Sequence, residues 1–505
     1  MRPQSCGRLV QEIADRGLRF AVAAGLLLAW GCLGSIRATE AWEEIRSPHF
    51  TVVSNAGASQ ARQTAARFEL LRGVVREALP AARLDGALPL SILAVRDEED
   101  LKALLPGFWE KEGRKHPSGI FVSGPEKDYV ALRLDAPGAS PYETIFHEYI
   151  HGILRANFRR LPLWLNEGLA EVFAHSSFER DEARLGRPVA RHLDRLRSGA
   201  TIPLDALLTA DRSSPYYDDA GKAPSFYAQS WQLAHYLLLG DRGANRAALA
   251  EYLALLDRDA EPLEAAKKAF GELKGLSQRL DAYARQTQFY SLPVRVPVSP
   301  GGGGFAAREL PLAESLAVRG DFHVHMGRDA EARALLGEAL RLAPELPAAR
   351  ESMGLLFLRE GSLEEALRWF SEAARLDSRS FLAHYYEGVA LAREAASPKQ
   401  LAAAEASLRR SLELNPNFAA SYGALAQLCA ARPGGIEEAL GLARKAVDLE
   451  PGSAAYRLNL AAVLLRMGRP AAARDAAEQA QAAARSPQEK EAAEGFLRQL
   501  GRTRP

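Results

Sequence analysis

Five alanines stand at nearly even intervals toward the C-terminus of this chain: Ala332, Ala366, Ala404, Ala439 and Ala473, spaced 34, 38, 35 and 34 residues apart. Seven residues after each comes another small side chain, at Ala339, Ala373, Ser411, Ala446 and Ala480. Twelve residues after each come Pro344, Ser378, Pro416, Pro451 and Arg485. Small residues at fixed offsets let two antiparallel helices approach closely, and a proline ends the second helix because it cannot donate to the preceding turn. Residues 310–500 are therefore expected to form about five stacked helix pairs, with the polar stretch 488–500 as a terminal cap.

In its period and small-residue positions this region resembles the tetratricopeptide repeats, over about 310–485. The resemblance implies an all-α helical-repeat solenoid that receives a peptide or a protein partner. Just before it lies VPVSPGGGGF (296–305), where four glycines follow a proline. Such a segment holds regular structure poorly, so 296–309 is expected to be a Gly-rich interdomain linker that leaves the placement of the two parts open.

The chain has 505 residues, too many for one ordinary core. Its formal net charge of +1 leaves no electrostatic footprint for nucleic acid. Arg2, Arg8, Arg16 and Arg19 precede the apolar run FAVAAGLLLAW (20–30), which is too short to span a bilayer comfortably. Residues 1–38 thus read as a signal peptide cleaved after Ala38, and the mature protein as exported, periplasmic or extracellular, with no stable transmembrane helix. The alternatives are an uncleaved anchor and lipid attachment at Cys32, for which Ala29 and Trp30 are a poor setting. Cleavage would leave Cys429 as the one cysteine of three, so no internal disulfide can form.

From 39 to 295 the pattern is mixed. HFTVVS (49–54), LSILAV (90–95) and YVALRL (129–134) are β-rich, residues 60–78 have helical periodicity, and past Tyr142 nearly everything reads as helix. Strands first and helices after predict an α+β unit. One helix start is well marked: Ser140 fits the N-cap, Pro141 the first turn, and Glu143 completes a capping box.

That helix carries His147, Glu148 and His151. Histidines four apart project from one helix face, and zinc takes two neutral imidazoles as one edge of its tetrahedron. Glu148, beside them, can reach a water without ligating the metal. The next segment, LPLWLNEGLAEVF (161–173), offers Glu167 and Glu171 four apart on a second helix. One can complete the metal site while the other steadies a ligand histidine.

At these residues the chain resembles the gluzincin metallopeptidases, which pair HExxH with a downstream glutamate, and is most similar to the peptidase MA-like domains of exported bacterial proteins. The resemblance implies a zincin-like catalytic domain over 39–295 holding one Zn2+ ion. It also implies that Glu167, between Asn166 and Gly168, is the third ligand and Glu171 the acid behind a ligand histidine. Spacing alone favours Glu171, since only fifteen residues separate His151 from Glu167. The local motif favours Glu167, with Gly168 allowing close approach to the active-site helix. The resemblance further points to a tyrosine that stabilises an oxyanion, here Tyr227 in SFYAQSWQLAHYLL (225–238), with Tyr216 and Tyr217 as weaker candidates. It also points to an edge strand that pairs with an extended substrate, for which Tyr129, Ala131 and Arg133 are the candidates. The expected activity is zinc-dependent hydrolysis of a peptide or protein substrate, with Glu148 as general base and the repeats recruiting a protein partner. The competing expectation is an inert peptidase-like scaffold that acts through its repeats.

Overall fold

The computed structural model describes residues 41–84, 89–110, 116–124, 127–136, 142–158, 161–179, 182–219, 221–295, 304–376, 378–394 and 397–502. The expected signal peptide with Cys32, the cap residues Ser140 and Pro141, and most of the glycine run lie outside the described residues. Among the described residues no helix is long and apolar enough to cross a membrane.

The β-rich runs pair as expected, with two further strands among them. Strands β1 (Trp42–Arg46), β2 (Phe50–Ser54), β3 (Leu90–Val95), β4 (Gly119–Ser123) and β5 (Asp128–Arg133) share one sheet. Three later strands, β6 (Ser177–Glu179), β7 (Glu182–Leu185) and β8 (Leu292–Arg295), make a separate small sheet. The last, β9 (Ala307–Leu310), returns to the first sheet and gives it six strands in the order β4-β5-β3-β2-β1-β9. Strands β2, β3 and β5 run parallel, while β4, β1 and β9 are antiparallel to their neighbours.

Side chains alternate between the two faces of a strand. Phe50, Val52, Ile92, Val130 and Leu132 enter the large core beneath the helices Ala58–Ala78 and Tyr142–Asn157. Val53, Leu93, Val95, Tyr129 and Ala131 enter a second core on the other face. That second core is closed by Leu101 and Leu104 and by Phe322, Val318 and Met326, so the first repeat helix, Leu312–His325, covers the sheet.

This corrects the expected linker. Residues 307–309 are not a tether but part of β9, with Trp42 opposite Leu310 and Ile45 opposite Ala307. The helix that begins at Leu312 is at once the first repeat helix and a layer of the preceding α/β unit. Its Asp321 forms a buried ion pair with Lys127 at 2.9 Å, accepts a hydrogen bond from the Tyr129 hydroxyl, and accepts another from Ser352 at 2.9 Å. Burial alone would raise the Asp321 carboxyl, but the charges of Lys127 and His325 hold it well below the carboxylate range.

The substrate-edge assignment of Tyr129, Ala131 and Arg133 is overturned by the same arrangement. Strand β5 is internal, between β4 and β3, and the edge belongs to β4. Tyr129 is buried against the repeat helix, Ala131 is fully buried, and Arg133 is tied to Glu98 and, at 2.7 Å, to Asp135. Alternation in the sequence cannot tell an edge strand from its neighbour.

The repeats appear as five helix pairs, from Leu312–His325 with Asp329–Leu342 to Ala454–Arg466 with Pro470–Ala483, closed by Pro487–Arg502. All ten of the small residues at the repeated offsets are 0% exposed, as close helix packing requires. A side chain at Gly354 would place its Cβ 2.6 Å from the Phe370 ring, so the first helix of that pair also needs a minimal residue.

A chain cut after Arg295 would strip β9 and the covering helix from the sheet. It is expected to bind hydrophobic dye and aggregate, whereas a chain cut after Leu342 should stay soluble and unfold cooperatively. Equal solubility of the two, measured by light scattering and thermal melting, would refute the shared core.

Candidate metal centre

The helix Tyr142–Asn157 buries Tyr142, Ile145, Phe146, Tyr149, Ile150, Ile153 and Leu154 on the sheet. This spacing leaves His147, Glu148 and His151 on the opposite side. Facing them is the helix Leu163–Ala174, almost wholly buried, with Glu167 3% and Glu171 8% exposed. Two buried carboxylates one turn apart need partners, and both find them on His147.

His147 Nε2 and His151 Nε2 are 3.0 Å apart, and Glu167 Oε2 lies 3.2 Å from the first and 3.4 Å from the second. Three donor atoms thus form a compact triangle. Ligands at ordinary zinc distances in a tetrahedron stand about 3.3 Å apart, so His147, His151 and Glu167 fit that ion in spacing and in donor type. Glu171 is elsewhere: its Oε1 lies 3.4 Å from His147 Nδ1. Spacing had favoured Glu171 as the partner of the two histidines, but it is a Glu167 oxygen that lies with their Nε2 atoms. Glu171 instead faces the imidazole's other nitrogen, where it favours the tautomer that leaves Nε2 free.

The charges reinforce one another. Burial disfavours a charged His147, yet hydrogen bonds to Glu167 and then Glu171 outweigh it and lift its pKa to about 9. Burial likewise opposes ionisation of Glu167, but His147 and His151 bring it down to about 2. Glu171 is also held far below the carboxylate range by His147 and His192, against its burial.

Sequence reasoning missed the group around Glu171. His192 Nε2 lies 2.8 Å from Glu171 Oε2, Arg191 Nη2 3.4 Å from the same oxygen, and the His175 ring also borders it. His175 and His192 show no ligand spacing in the sequence, and both rings face Glu171. Only the packing of the helix Ala190–Arg197 brings His192 in, and no sequence signal marks it.

Tyr227 comes from the helix Ala223–Leu239, its ring 6.4 Å from that of His147. Burial first, then the Glu167 charge, pushes its hydroxyl well above the ordinary phenol value, so it is a neutral donor. Tyr217, read as a weaker candidate, also reaches the group: its hydroxyl donates to Glu167 Oε1 at 3.4 Å. Two cavities flank the triad. One of about 900 Å³ includes His147, Tyr227, Arg191 and Arg195, and another of about 470 Å³ includes Glu148, His151 and Asn166.

A family described as "Protein of unknown function (DUF1570)" matches residues 142–262, a span that begins with the HExxH helix and includes Tyr227. No curated protein matches the chain. Among solved structures, the chain is similar to YrrB, described as a TPR protein with an unusual peptide-binding site. That similarity has 20% identity and a TM-score of 0.31, over 36% of this chain and 92% of that one. It is also similar to pilF of Pseudomonas aeruginosa, with 17% identity and a TM-score of 0.31 over 38% and 91% of the two chains. A third is MamA, at 21% identity and a TM-score of 0.29 over 34% and 96%.

Gly168 was expected to ease contact with the active-site helix. It serves the Tyr227 helix instead: an added Cβ would overlap the Ser230 carbonyl oxygen and lie 2.9 Å from Ala234. Gly168→Ala should therefore cost about 1–3 kcal/mol through overpacking, seen as a lowered melting temperature. An unchanged melting temperature would contradict this close approach.

Proposed function

We propose that this protein is an exported zinc-dependent peptidase whose helical repeats bring a protein substrate or partner to its cleft. The observation that carries the reading is the triangle of His147, His151 and Glu167 donor atoms, with Glu171 on the far nitrogen of His147. Export rests on the basic and then apolar character of residues 1–38.

Zinc held by these three residues supplies Lewis acidity toward water and toward a substrate carbonyl. Glu148 is exposed in the cavity it shares with His151, where it takes the proton of the attacking water and passes it to the departing amine. The Tyr227 hydroxyl, kept protonated, donates to the oxyanion, and Tyr217 steadies Glu167. The substrate strand moves from β5 to β4. Strand β4 has no strand on its outer side among the described residues, and its neighbourhood borders both cavities through Ser118 and Phe121. An extended peptide added to that edge runs past the HExxH helix.

Glu148→Gln is expected to retain zinc and fold while hydrolysis of a casein or mixed-peptide substrate falls by at least about a hundredfold. Wild-type protein that binds no zinc, or a variant as active as wild type, refutes the peptidase reading. Glu171→Gln should weaken zinc about 10–100-fold, with Glu167→Gln weakening it further. The opposite ranking in metal titrations would reverse the ligand assignment.

The pH dependence has a definite sign. Free of metal, His147 holds its proton up to about pH 9, above the 6.5 of an ordinary imidazole. Zinc must displace that proton, so apparent affinity should rise roughly tenfold per pH unit between about 7 and 9 and fall below. Calorimetry in buffers of different ionisation heat should count about one proton released at neutral pH. No release would contradict His147 as a ligand.

A further inference from the structure

The far end of the repeat solenoid returns to the metal centre. Arg485, just past the helix Pro470–Ala483, donates to the Arg155 carbonyl at 3.2 Å. Any side chain at Gly452 would meet the Arg155 and Phe158 carbonyls at 3.0 and 3.3 Å. Arg83 in turn bonds the Asp448 carbonyl. The cavity of about 470 Å³ lies at this junction, with Glu148, His151 and Asn166 on one side and Ala482 to Arg485 on the other.

The charged side chains that line it are mostly basic. Among the described residues its lining carries Arg155, Arg212 and Arg485, with Glu148 as the one acid. Arg155 donates to Ser123 at 2.8 Å, a neutral partner within the lining. Acids that act on these arginines, Asp128, Glu450 and Glu489, are not part of the lining. Desolvation first, and the Arg155 charge second, pull the Arg485 guanidinium below its ordinary value, against the opposing charges of Glu489 and Glu450. The other cavity differs, for Glu143 and Glu171 line it beside Arg191 and Arg195, and Arg191 is paired with Glu171.

We propose that this cavity is the substrate subsite next to Glu148, completed by the last repeat, and that it takes an acidic side chain of a peptide. The proposal rests on the peptidase reading for what happens to that peptide, but not for its binding. A carboxylate seated between guanidinium groups makes charge-assisted, two-pronged hydrogen bonds, which lysine-containing or neutral peptides cannot. The repeats then do more than recruit, since Arg485 contributes directly to selection.

The test is binding to the full chain carrying Glu148→Gln, read by fluorescence anisotropy. The probes are a short labelled peptide containing several glutamates and its glutamine counterpart. The glutamate peptide should bind about tenfold tighter or better at low salt, with the margin shrinking as salt is added. Arg485→Glu and, separately, Arg212→Glu should each erase most of that preference. Among the described residues no hydrogen bond or ion pair joins Arg212 to the repeats, so its variant guards against a misfolded Arg485 variant. Arg444→Glu, on the exposed repeat surface, should leave the preference intact. Equal affinity for the two peptides overturns the proposal, as does a preference that survives both cavity variants or vanishes equally in Arg444→Glu. A glutamate preference in a protein whose wild type cuts nothing would refute the peptidase reading alone. Cleavage without the preference would refute the subsite alone.

Discussion

A sheet with apolar residues on both faces has to be covered on both, and here one cover is borrowed from the repeats. Val53, Leu93, Val95, Tyr129 and Ala131 would face water without Phe322 and its neighbours on the helix Leu312–His325. At the centre of that contact is the buried Lys127–Asp321 pair, tied to the next repeat helix through Ser352. Such a pair contributes little net stability over a well-packed apolar contact, because both charges lose their hydration. It is demanding about position, however. A sliding of the helix by one turn would leave a charge buried and alone, so the pair sets the register in which the solenoid starts.

A fixed start, followed by stiff helix pairs each packed on the next, determines where the solenoid ends. The end touches the α/β unit again through Arg485, Gly452 and Asp448. The repeats are therefore held at both extremities, once beneath the sheet and once at the C-terminal end of the HExxH helix. Relative motion of the two parts, which a glycine-rich connection would permit, is opposed by these two attachments. The connection does not act as a tether because its last residues are a strand.

Much of this was legible in the residues and some of it was not, for identifiable reasons. The helix pairs could be read because each repeats the same demand for a small side chain at the same offset. The meeting of His147 and His151 could be read because helical spacing of four puts both histidines on one face. The strand β4 was missed because GIFVS carries only a weak alternation, and without it β5 looked like the edge. The roles of Glu167 and Glu171 stayed open because chain separation does not encode which oxygen faces which nitrogen. His192 gave no signal since its partner is Glu171, far away in the chain. A long-range partner of a partner leaves no periodicity.

The two glutamates also explain an asymmetry at the centre. One helical turn advances about 5.4 Å, enough for Glu167 and Glu171 to reach the two nitrogens of a single imidazole from one helix. His147 is thereby clamped from both sides, and its ring orientation follows from the packing of two helices. His151 has no such clamp, for its Nδ1 is buried without a hydrogen-bond partner. Its position depends instead on the helix that carries it and on whatever its Nε2 meets. The ring of His147 is thus joined through Glu171 to Arg191 and His192 on one side and through Glu167 to Tyr217 on the other.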